Sequence, residues 1–147
     1  MHKIQWLTPL KILLLFISIF HLVFGIGLMF SIEFQKSAAA IYGVQVPWST
    51  QYIFFARILG SFVFILGSLA FGASRNPLQN PLIVFCFAEF FILRDLNRHL
   101  FAHEVYQSLG ISPATNAITS FFFGIQAVLL VVLFFLAKKQ NQNQISS

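Results

Sequence analysis

Four long apolar runs, separated by short polar stretches, organise the 147-residue chain. They fall at about 12–30, 52–73, 82–102 and 117–137. A hydrocarbon core about 30 Å thick takes roughly 20 helical residues at 1.5 Å each, so each run predicts a membrane-spanning helix. Closed barrels are excluded, because they need many short alternating segments and these runs are continuous. Thr8-Pro9 reads as an N-cap followed by a first-turn proline. The connection 31–51 carries Ile41, Tyr42, Val44, Val46 and Trp48 and predicts an interfacial external loop. Residues 140–147 read as a frayed polar tail.

Composition sharpens this picture. Hydrophobic residues make up 58% of the chain and charged residues 9%. A soluble domain carries about 25% charged residues, so this chain cannot coat a water-facing surface. The expected fold is all-α: one integral membrane domain, 1–147, built as a four-helix bundle. Lys3 and Lys11 precede the first span, Arg75 follows the second, and Lys138 and Lys139 follow the fourth. By the positive-inside rule both termini face the cytoplasm. Lys3, the apolar run and Ala38-Ala39-Ala40 imitate a signal peptide, but the run is too long, so span one is expected to be retained. The net charge of +5 comes from scattered residues, and no nucleic-acid motif accompanies it. The single cysteine, Cys86, excludes an internal disulfide and a cysteine metal site.

Ala56, Gly60, Val63, Gly67, Ala70 and Ser74 share a narrow arc of the second span. Such a stripe lets helix backbones approach closely, within the bundle or against a second copy or partner helix.

The candidate chemistry lies in the scarce polar residues within the spans. His21 falls near the middle of span one and Gln126 near the middle of span four. Arg57 sits near the outer start of span two, and span three carries Glu89, Arg94, Asp95, Arg98 and His99. None of these charges falls in the inner half. A buried ion in lipid needs a partner. Asp95 is spaced i,i+3 from Arg98 and i,i+4 from His99, whereas Glu89 requires Arg57 or His21 from another helix. Three arginines then face two carboxylates, and the uncompensated cation would attract an anionic or lipid-like ligand. The ligand-binding set is Arg57, Arg94, Arg98, Glu89, Asp95, His21 and Gln126, in a pocket open toward the outer leaflet. An ion-pair network that only fixes helix register uses the same residues. His99 and His103 share a helix face at metal-ligand spacing, but no third ligand is fixed by sequence. No catalytic motif or cofactor signature occurs.

The favoured reading is therefore a non-enzymatic membrane protein with a polar pocket. The rivals are an accessory subunit docking through Ala56, Gly60 and Gly67, and a membrane enzyme or metal protein. The segment Phe55-Ala56-Arg57-Ile58-Leu59-Gly60, with Gly67 seven residues on, resembles the arginine-glycine signature of small four-span bacterial proteins of the BphX-like and DoxX-like groups. The resemblance extends to chain length, the long first external loop and the third-span arginines Arg94 and Arg98. It implies a bacterial cytoplasmic-membrane protein and transfers no catalytic residues.

Overall fold

The long apolar runs fold as long helices, and two of the connections between them add short ones. A computed structural model describes residues 5–145, which are helical with no strand among them. The helices are α1 (Leu7–Phe30), α2 (Ile32–Ile41), α3 (Thr50–Arg75), α4 (Pro81–Leu100), α5 (Ala102–Leu109) and α6 (Pro113–Ile145). A 3₁₀ turn, Pro77–Gln79, links α3 to α4. By length and composition α1, α3 and α6 suffice to cross a membrane, which makes the chain an integral membrane protein. Helix α4 is 20 residues long, but Glu89, Arg94, Asp95 and Arg98 interrupt its apolar run.

Helices α1, α3 and α6 outrun the apolar stretches that predict them, whereas α4 stops at Leu100, short of the expected end near 102. Thr8 is not the N-cap of α1: the helix begins at Leu7, behind Trp6, which gives no side-chain cap. Pro9 is still tolerated, because the first four N–H groups of a helix have no internal carbonyl to meet. Helix α6 continues through residues 140–145 rather than fraying at Gln140; Ser146, Ser147 and Lys3 lie outside the described residues. The first connection is also no open strap. Ser31 caps α2 by accepting from the Phe34 N–H at 3.1 Å, and α2 buries Gln35 and Ala38.

Helix α1 packs chiefly on α3, and α4 chiefly on α6, with α1 also touching α6. The α1–α3 contact explains the small-residue stripe. A Cβ added at Gly25 would stand 2.6 Å from the Phe64 nitrogen, and one at Gly67 would stand 2.7 Å from the Leu22 nitrogen. A Cβ at Gly60 would lie 2.9 Å from the Gly25 oxygen. The two backbones thus meet through glycine, and the Ser18 hydroxyl donates to the Gly67 carbonyl across the contact at 2.9 Å. The Gly60–Gly67 face of α3 is occupied by α1. Most of the rest of α3 is exposed apolar surface, including Phe54, Phe55, Phe62 and Ile65.

The core combines Leu14 and Ile17 of α1, Ala70 of α3, Phe87 and Phe91 of α4, and Phe123 and Leu130 of α6. The two ends of the bundle differ. One, the basic end, gathers Lys11, Arg75, Lys138 and Lys139. The other is capped by α2, α5 and the segments beside them. The Gln45 N–H donates to the Leu109 carbonyl at 2.7 Å, tying these two connections together. Gly110, at φ +66°, makes the turn that permits this.

Candidate functional site

The capped end of the α4–α6 pair holds the densest polar cluster. Arg94 and Arg98 are one turn apart on α4, both turned toward α6. The Arg94 guanidinium lies 3.9 Å from the centre of the Phe123 ring and 5.4 Å from that of Tyr42. A position over aromatic rings suits a weakly hydrated guanidinium, which is drawn to the negative ring face. Arg98 Nε donates to Asn116 Oδ1 at 2.7 Å, and Asn116 Nδ2 donates to the Tyr106 hydroxyl at 3.4 Å. Asn116 is only 2% exposed, so α6 fixes this arginine from within the protein.

Four buried polar atoms here and nearby have no hydrogen-bond partner among the described residues. They are Arg98 Nη2, Ser120 Oγ, Asp95 Oδ1 and Gln35 Oε1. Ser120 is one helical turn from Asn116 and one from Phe123, so its hydroxyl lies on the α6 face that meets Arg98 and Arg94. Gln35 already donates to the Leu28 carbonyl at 2.6 Å, satisfying one of the last carbonyls of α1. A buried donor or acceptor left without a partner costs about 1–3 kcal/mol, so this set marks where a polar guest is favoured.

The local charges are unequal. The Asp95 carboxylate is 3.8 Å from His99 Nε2, and no ion pair joins it to Arg94 or Arg98 among the described residues. Two guanidiniums thus share one carboxylate that is turned aside.

The other sequence candidates are placed elsewhere. His21 is buried against Phe20, Phe87, Phe90 and Phe91, and its Nδ1 donates to the Ile17 carbonyl at 2.7 Å. Gln126 is buried on α6 and makes no hydrogen bond among the described residues. Glu89 is exposed on the far side of α4, because five residues before Arg94 amounts to a rotation of about 140°. Arg57 is exposed near the capped end of α3. The α1 contacts of Gly60 and of Phe87 set Arg57 roughly 10 Å above Glu89, at 1.5 Å per residue. The two do not meet, and neither touches the Arg94–Arg98 cluster. His99 and His103 are separated by the α4–α5 break at Phe101, and no group of three metal-binding side chains forms among the described residues.

Asn116, Ser120, Tyr42 and Tyr106 complete the site without having been singled out by sequence. The available signal was the run Thr115-Asn116 and Ser120 at the start of an apolar span, on one helix face. Comparison with protein-family models, with curated proteins and with solved structures returns no match for this chain.

Proposed function

We propose that α1, α3, α4 and α6 form a four-span bundle of a bacterial inner membrane, with both termini cytoplasmic. We propose that its capped end binds an anionic group, either a small anion or the head of an anionic amphiphile. The basic end supports the orientation, since Lys11, Arg75, Lys138 and Lys139 gather there. The resemblance of residues 55–60 to the BphX-like and DoxX-like groups implies the same architecture.

One observation carries the binding reading. Arg98 Nη2 is a buried charged donor without an acceptor among the described residues, and the likewise unpartnered Ser120 hydroxyl lies on the α6 face that meets Arg94 and Arg98. A phosphate or carboxylate oxygen placed between them accepts from both. Arg94, over the Phe123 ring and near Tyr42, supplies the second positive charge. Charge-assisted hydrogen bonds of this type are roughly twice as strong as neutral ones. Asp95 and His99 bound the site and limit its excess charge. We read the role as non-enzymatic, because the cluster offers hydrogen-bond donors and a fixed positive field.

The test is thermal unfolding in neutral detergent with added dodecyl phosphate. The wild type gains more stability than Arg98→Gln as the probe is added. Arg57→Gln, a control outside the cluster, responds like the wild type. Equal responses from all three proteins would refute the site.

A further inference from the structure

We infer that the basic end of the bundle carries a groove for an anionic phospholipid, separate from the capped-end site. The groove lies between the start of α4 and the last turns of α6 and encloses about 490 Å³. That volume falls within the range of about 300–1,000 Å³ for ligand sites. Phe85, Phe134 and Phe135 form its apolar wall, and Lys138, Asn141 and Gln142 its rim. The Phe85 ring is 5.0 Å from Phe134 and 5.9 Å from Phe135, so the three rings make a continuous surface.

Along α6 the wall and rim follow the order of a phospholipid. The aromatic rings come first, the ammonium of Lys138 one turn later, and the amide of Gln142 one turn beyond. Phe135, Lys138 and Gln142 are spaced i, i+3, i+7 and therefore share one helix face. Lys138 is also the first charge after the apolar stretch that runs back to Pro113, which sets it at the height where lipid phosphates lie.

Charge selects the occupant. None of the four acidic residues, Glu33, Glu89, Asp95 and Glu104, lines the groove, and Lys138 has no ion pair among the described residues. Lys11, Arg75 and Lys139 add positive charge at the same end. A second copy docked about a two-fold axis along the membrane normal would set Lys138 near Lys138, which is repulsive. A phospholipid with net negative charge meets both the rings and the lysine.

The experiment uses the full chain with Arg98→Gln as background, so that the capped-end site does not contribute. Native mass spectrometry counts bound lipid after incubation with phosphatidylglycerol or phosphatidylcholine in neutral detergent. Phosphatidylglycerol is retained over phosphatidylcholine, and Lys138→Glu lowers its retention by more than about fivefold, since the loss of one basic residue near an anionic surface alone contributes that factor and the new carboxylate adds repulsion. Lys139→Glu makes the same charge change outside the groove and leaves retention near the background level. Equal loss in both variants would show diffuse attraction and overturn the groove. Equal retention of the two lipids would also overturn it, as would displacement of phosphatidylglycerol by 10 mM-scale inorganic phosphate.

Discussion

Replacing Gly67 by alanine should loosen the α1–α3 pair, while the same change at Gly72, on the same helix, should not. The Cβ at residue 67 would stand 2.7 Å from the Leu22 nitrogen, 2.9 Å from Leu22 Cγ and 3.1 Å from the His21 carbonyl carbon. Carbon contacts are normally about 3.5–4.0 Å, so α3 must withdraw by up to about 1 Å. Two of the three obstructing atoms are backbone and cannot rotate away. Overpacking of this kind costs about 1–3 kcal/mol. Withdrawal also stretches the 2.9 Å Ser18–Gly67 hydrogen bond, worth about 1 kcal/mol. Against these stands a gain of about 1 kcal/mol from replacing glycine in a helix. The net loss is about 1–3 kcal/mol. At Gly72 nothing lies within 4 Å of the added Cβ, so only the propensity gain remains, up to about 1 kcal/mol. Thermal unfolding in mild detergent, followed by circular dichroism, should place Gly67→Ala below the wild type and Gly72→Ala at or above it. If Gly67→Ala unfolds at or above the temperature of Gly72→Ala, the glycine-mediated contact is refuted.

Other expectations follow from the capped end and the lipid-facing side. Asn116→Ala removes the acceptor of a half-buried arginine and should cost about 1.5–3 kcal/mol, whereas Asn116→Asp keeps an acceptor and should restore most of the unfolding temperature. Ser31→Ala deletes the cap of α2, worth about 1 kcal/mol, and should raise amide exchange across residues 32–41 while leaving α1 protected. Glu89→Gln should leave the unfolding free energy within about 0.5 kcal/mol of the wild type, as expected for an exposed side chain without partners among the described residues.

The long helices were legible because twenty-residue apolar runs have few other solutions in a membrane protein. The short helices were not. In α2 the signal was only Ser31 ahead of Phe34, with Glu33 in the first turn, inside a connection whose apolar residues suggested an interfacial strap. In α5 it was Gly110 at the end of eight mixed residues. The small-residue arc of α3 could be read as a close contact, but the sequence held nothing to choose α1 over an outside helix. In the polar cluster, depth was readable and azimuth was underused. Glu89 shares a helix with Arg94 yet faces the opposite way, and the rotation of about 100° per residue already separates them. The Arg98–Asn116 bond joins residues 18 apart through the α5 connection, so no local pattern announces it. Gln35 likewise reaches back to α1 from a loop helix.

The most direct test of the central claim is an experimental density map of the protein purified with its native lipids, viewed at Arg98 Nη2. The account predicts an anionic non-protein group within about 2.7–3.2 Å of that nitrogen, also reached by Ser120 Oγ. A map in which Arg98 Nη2 is satisfied by Asp95 or a backbone carbonyl, with no such group beside Arg94, would contradict it.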